Sequence, residues 1–187
     1  MIRIVIFVVI AAAFLMFAHA AEMAIASAKI QMHVPANEVV TPPLWLASAF
    51  FFGNRLLASD FYMLRANLYV QTALAEGKSY QSVVSLYSLI RDLNPRSCLT
   101  YQTAGTFLEQ YHLDEATRAA NRFLEEGVRA CPEDWFMKFL LAFNLSKQKD
   151  YAKAGWILIE AAKDKKAPEW VGSLGHKWVN QHDNASH

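Results

Sequence analysis

The sequence predicts an all-α protein in which an N-terminal transmembrane helix leads into a helical-repeat solenoid of about three helix pairs closed by a capping helix. Three observations predict it. Residues 4–17 form an unbroken apolar run behind a single early arginine, Arg3. Beyond Leu56 the apolar residues fall at spacings of three and four, without the alternation that marks strands. Pro95, Pro132 and Pro168 recur about 36 residues apart, the kind of period at which helix pairs stack because no pair can cover its own apolar face.

The N-terminal run continues from Phe17 through Ala18, His19, Ala20 and Ala21 to Glu22, and Met23 to Ala26 can extend the same helix. Eighteen helical residues span about 27 Å, close to the roughly 30 Å of a bilayer core. The charge of Arg3 ahead of the run holds the N-terminus in the cytoplasm. Residues 1–30 are therefore expected to form the anchor segment, touching the membrane through residues 4–26. The expected location is the inner (cytoplasmic) membrane, single-pass, with the repeat domain periplasmic. Ala18-His19-Ala20 also has the small-x-small form of a signal-peptidase site, so cleavage after Ala20 and release of a secreted domain is the alternative.

Residues 31–43 carry Pro35, Pro42 and Pro43 without helical periodicity and read as a linker. Pro43 suits the first position of a helix, with Thr41 nearby as a cap. Leu44 to Phe52 is then apolar on every face, a segment to be covered by the domain, by a partner or by the bilayer surface, and too short to cross a membrane. The next helices show in Phe61, Leu64 and Leu68, and in Val83, Leu86, Tyr87 and Ile90. Breaks are expected at Glu76–Ser79, Asn94-Pro95, Gln110–His112, Cys131-Pro132, Lys147–Lys149 and Ala167-Pro168. A capping helix from Trp170 to about Asn180 completes a repeat domain over residues 44–180, and residues 181–187 read as a flexible tail.

Tyr101, Ala104, Gly105 and Leu108, followed by Ala116, Ala120 and Phe123 before Pro132, place aromatic, large and small residues where a tetratricopeptide repeat (TPR) has them. From about Leu56 to Trp178 the chain resembles that family. The third unit matches through Leu141-Ala142, Asp150 to Ala154, and Ala161. The first keeps Val70, Leu74, Val83, Tyr87 and Ile90 but has Gln71 at the small position. The second helix of the middle unit is about four residues longer than the family norm. The resemblance implies a TPR-like architecture and is silent about ligand. Asp60 to Ala66 and Leu86 to Pro95 are also similar to bacterial membrane-anchored repeat proteins, which implies a bacterial, periplasmic setting.

The balance of 18 Lys+Arg against 17 Asp+Glu lacks the basic footprint of a nucleic-acid binder. The two cysteines, Cys98 and Cys131, form no metal-type or haem-attachment motif. In a helix pair the start of the first helix and the end of the second share one end of the bundle. A Cys98–Cys131 disulfide is thus open in an oxidising compartment, with two reduced buried thiols as the alternative. Of the six histidines, His176 and His182 are six apart, about 240° round a helix, and share no ligand face. No nucleophile motif or Gly-rich phosphate loop is present, and Asp134 reads as a helix start rather than a catalytic acid. No enzyme activity, cofactor, metal or small-molecule substrate is expected.

Trp135, Trp156, Trp170 and Trp178, at roughly repeat spacing, read most simply as core. Phe61, Tyr62, Arg65, Asn67 and Tyr69 on the first long helix are candidates for the concave face, where repeat domains hold partners through aromatic and arginine side chains. Trp45, Phe51 and Phe52 join them as candidate partner-binding residues, and core is the simpler reading for any one of these aromatics. The expected function is a membrane-anchored protein–protein interaction scaffold, an accessory or assembly subunit that binds other subunits of a membrane complex. The alternative is a secreted TPR-like domain that binds peptide or envelope polymer.

Overall fold

The structure, a computed structural model, describes residues 39–185, with side chains through Asn180. The expected anchor and the linker as far as Glu38 lie outside the described residues. Among those described, no helix is long and apolar enough to cross a membrane.

Eight helices and no strand make up the described chain. They are α1 (Leu44–Ala49), α2 (Arg55–Ala75), α3 (Tyr80–Leu93), α4 (Cys98–Glu109), α5 (Asp114–Ala130), α6 (Trp135–Lys147), α7 (Tyr151–Ala161) and α8 (Glu169–Ala185). The pairs α2/α3, α4/α5 and α6/α7 pack as hairpins, each second helix packs on the first helix of the next pair, and α8 lies against α7. This neighbour-to-neighbour order is compatible with a helical-repeat fold. All six expected breaks fall between these helices, save that Lys147 is still the last residue of α6.

Two expectations shift at the ends. Pro43 stands just before the first helical residue rather than at it, and no side chain caps α1, Thr41 included; Leu46 N and Ala47 N donate to the Pro43 carbonyl instead. Helix α1 stops at Ala49, short of the apolar run to Phe52, because Phe52 and Gly53 turn through positive φ of 54° and 80°. At the other end α8 continues through Ala185, five residues past its expected limit.

The three hairpins share a backbone feature at their turns. Gly77, His112 and Lys149 all have positive φ, and each closes the turn inside one hairpin. In the first and third hairpins the next amide reaches back to close that turn, Lys78 N to Ala73 O and Asp150 N to Leu145 O. Side-chain caps start three of the later helices: Ser79 for α3, Asp150 for α7, and Asp134 for α6, where Asp134 accepts from both Phe136 N and Met137 N.

The core runs through all three hairpins. Val70, Val83, Tyr87 and Ile90 fill the first, Tyr101, Ala104, Leu108, Ala116, Ala120 and Phe123 the second, and Leu141, Ala142, Ala154 and Ala161 the third. These are the residues on which the family resemblance rests; Leu74 is half-buried and Gln71 exposed. Ion pairs then link successive units: Arg91 to Glu126 at 3.2 Å, Lys147 to Glu109 at 2.9 Å and Lys153 to Glu125 at 3.5 Å.

Candidate functional site

Helix α2 carries apolar residues on two opposite faces. The buried face is built largely of small residues, Ala58, Ser59, Ala66 and Ala73, with Tyr62 and Val70 between them. The opposite face sets out Leu57, Phe61, Leu64 and Leu68 at spacings of four, three and four, and all four are exposed, Leu64 by 61% and Leu68 by 63%. At about 100° per residue they form one narrow stripe along the helix. The periodicity of Phe61, Leu64 and Leu68 is helical, as read from the sequence, but the face it marks is uncovered. Small residues let α2 approach α3 closely, so the larger side chains are turned outward.

The sequence-predicted residues distribute unevenly on this surface. Trp45 (70% exposed) and Phe52 (94% exposed) stand in solvent, and Phe61 is half-exposed. Phe51 is half-buried and packs its ring 5.3 Å from that of Phe61, holding it at one edge of the stripe. Arg65 is exposed. Tyr69 packs partly against the core, with Lys78 Nζ 5.7 Å from its ring centre. Tyr62 leaves the candidate partner-binding set for the simpler reading, core: it shares a helix face with Ala58 and Ala66, and burial pushes its phenol up from the usual value. Asn67 also points inward and accepts a 2.7 Å hydrogen bond from the Tyr87 hydroxyl.

A second uncovered surface lies on α6. Phe136, Phe139 and Phe143 follow one another along one side of the helix with ring centres 6.0 and 6.1 Å apart. Trp135 borders Phe136 at 5.6 Å, and Trp170 from α8 meets Phe139 edge-on at 5.5 Å. Phe136, Phe143 and Trp170 are all exposed. The row ends at a cleft of about 230 Å³ between α4 and α6, floored by Gly105 and Leu140 and edged by the Lys147–Glu109 pair. Lys147 Nζ lies 5.0 Å from the centre of the Phe143 ring. This surface was not foreseen, since Trp135 to Leu145 is apolar on almost every face and periodicity cannot choose an outer side there. The three phenylalanines at positions i, i+3 and i+7 were the available signal.

Two tryptophans expected in the core are exposed. Trp170 belongs to the aromatic row, and Trp156 (63% exposed) lies on the side of α7 opposite Ala154, Gly155, Leu158 and Ala161. Trp135 and Trp178 pack against the core with part of each ring open.

Cys98, opening α4, and Cys131, just after α5, are joined in a disulfide with their Cα atoms 6.0 Å apart. It ties the two ends of the second hairpin. A further cleft of about 430 Å³ opens between the turns of the first and second hairpins, where the rings of Tyr80 and Tyr111 meet edge-on at 6.3 Å. Burial raises the Tyr111 phenol above its usual value. Among the described residues no group of three or more His, Cys, Asp or Glu is placed to hold a metal ion.

The two apolar faces can hold apolar or aromatic side chains of another polypeptide, and the Phe143–Lys147–Glu109 end can orient a polar group on it. No protein-family model matches this chain, and no curated protein sequence matches it at a significant level.

Proposed function

We infer that this chain is a membrane-tethered, TPR-like interaction scaffold that works by binding alone, an accessory or assembly subunit of a membrane protein complex on the periplasmic side. The observation that carries this reading is the uncovered aromatic row on α6 and α8. Phe136, Phe139, Phe143 and Trp170 form a contiguous apolar strip on the first helix of the third hairpin and on the capping helix. Aromatic residues grouped in this way, beside a cleft with a fixed charge pair, are the kind of group that dominates protein–protein binding energy. The apolar run over residues 4–17 supports the tether. Holding the domain at a bilayer raises its effective concentration near a membrane partner and strengthens a modest contact without new interactions.

The test is extraction of the full chain in mild detergent and identification of the proteins recovered with it. A partner is expected, and it is lost when Phe136, Phe143 and Trp170 are together replaced by alanine. The variant's thermal midpoint should stay close to the parent's, because all three side chains are exposed. Recovery of the chain by itself at every detergent and salt condition sinks the reading. Intact mass of the extracted chain separates a retained residue 1 from cleavage after Ala20, which would favour the secreted alternative.

A further inference from the structure

The geometry points to a second copy of this chain as the occupant of the α2 stripe, paired with it in parallel about a two-fold axis. This rests on reading the uncovered faces as interaction faces, and it separates their roles: the α2 face is for self-association and the α6 face for a partner.

The spacing of the stripe selects a helix as its occupant. Leu57, Phe61, Leu64 and Leu68 fall at d, a, d and a of a heptad, the seam that packs knobs into the holes of a neighbouring helix. Much of the sector around that seam is open. Leu56, Asp60, Arg65, Gln71, Thr72 and Ala75 are exposed with it, and the Phe51 ring borders it at Phe61.

Charge then selects the partner and its direction. In the same register Asp60 stands at g and Arg65 at the following e. Those are the two positions that meet across a parallel pair, g of one helix against e five residues on in the other. A second copy therefore offers an arginine to each Asp60 and an aspartate to each Arg65, giving two ion pairs by symmetry. Neither residue forms an ion pair among the described residues of its own chain. In an antiparallel pair g meets g and e meets e, which would set Asp60 on the flank of the other Asp60 and Arg65 on that of Arg65.

The parallel arrangement also suits a tether. A two-fold axis along the helices keeps every residue at the same height in both copies, so Val39 of each copy, where the chain leads back toward the apolar run, lies at the same end of the pair. Both copies can then be held by one bilayer. The seam spans only about 16 Å, less than two heptads, which is short for an isolated pair. Co-tethering supplies the local concentration that such a short seam needs.

The full chain in mild detergent should contain two copies per particle by light scattering. Cys98 and Cys131 are already bridged, so an introduced cysteine reports alone. Leu57→Cys and Leu64→Cys, at d positions, should each cross-link to themselves on mild oxidation. Asp60→Arg or Arg65→Asp should weaken self-association by about tenfold or more, through like charges facing each other, and the combined exchange should restore most of the loss. A variant that does not fold is set aside by its circular dichroism, and the cysteine cross-links then decide. The proposal is overturned by a monomer with no self-cross-link, by cross-linking only in a mixture of Leu57→Cys and Leu68→Cys, or by charge exchange without rescue. Labelling of the stripe by a lipid photoprobe, or its cross-linking to a different protein, overturns it as well. Loss of the co-purifying partner in the α6 variant with the dimer intact leaves the two readings standing apart.

Discussion

At Gly155 an added methyl group would sit 2.7 Å from the Gly175 carbonyl oxygen and 2.7 Å from Val179 Cγ2. The obstruction is partly backbone, so α7 and α8 would have to part. Gly155→Ala should therefore cost about 2–3 kcal/mol by chemical denaturation. Gly172→Ala, whose new methyl would lie 3.1 Å from Ala162 Cβ, should stay within about 1 kcal/mol of neutral, since the better helix propensity of alanine offsets a mild crowding. Tyr87 supplies a second residue-scale prediction. Its ring is fully buried, its hydroxyl donates to Asn67, and burial holds its phenol far above the ordinary tyrosine range. Tyr87→Phe should cost about 1–2 kcal/mol at neutral pH, because the Asn67 oxygen loses its donor. The sign at high pH follows from linkage. Above about pH 10 the unfolded chain gives up the phenolic proton that the folded chain retains, so stability is complete below that pH and falls as pH rises. Replacing Tyr87 by phenylalanine should flatten the alkaline limb of the stability–pH curve.

At the scale of elements, the second hairpin is the one tied at its open end. The Cys98–Cys131 bridge spans a sequence separation of 33, and closing a loop of that length is worth about 3.5–4 kcal/mol on the chain-entropy estimate. Reduction, or the double replacement by serine, should lower the denaturant midpoint by a corresponding amount. Intact mass should show no alkylation of the unreduced protein; two added labels before reduction would contradict the bridge. The turns inside the hairpins offer a gain rather than a loss. Lys149 adopts φ of 65° at the position that Gly77 occupies in the first hairpin. Lys149→Gly removes the side-chain strain of that left-handed conformation and should stabilise the protein by about 1 kcal/mol. A thermal midpoint that falls instead would show that the lysine side chain contributes more than its backbone costs.

For the whole molecule, packing between neighbours implies graded rather than uniform stability. The second hairpin has neighbours on both sides and a covalent tie, whereas α1 buries only Ala47. Amide hydrogen exchange should be slowest in α4 and α5, intermediate in α3 and α6, and fastest in α1. Equal protection throughout would mean that the repeats unfold as one block. A self-associated form would add protection along the outer face of α2.

The all-α class, the six breaks, the period of the hairpins and the buried residues that carry the repeat resemblance, such as Tyr101, Ala104, Leu108, Leu141 and Ala142, were legible in the sequence, whereas Leu124, Met137, Leu145 and Leu158 were not singled out. Those features are local, set by proline, turn residues, caps and the 3.6-residue period, and a single chain displays them directly. Which side of α2 and α6 faces out became visible only in the packed fold. Both helices are apolar around most of their circumference, so periodicity offered no preference. On α2 the small residues Ala58, Ala66 and Ala73 turned inward for close helix packing and Leu57, Leu64 and Leu68 were left outside; on α6 Met137, Leu141, Ala142 and Leu145 face the neighbouring helices and Phe136 and Phe143 were left outside.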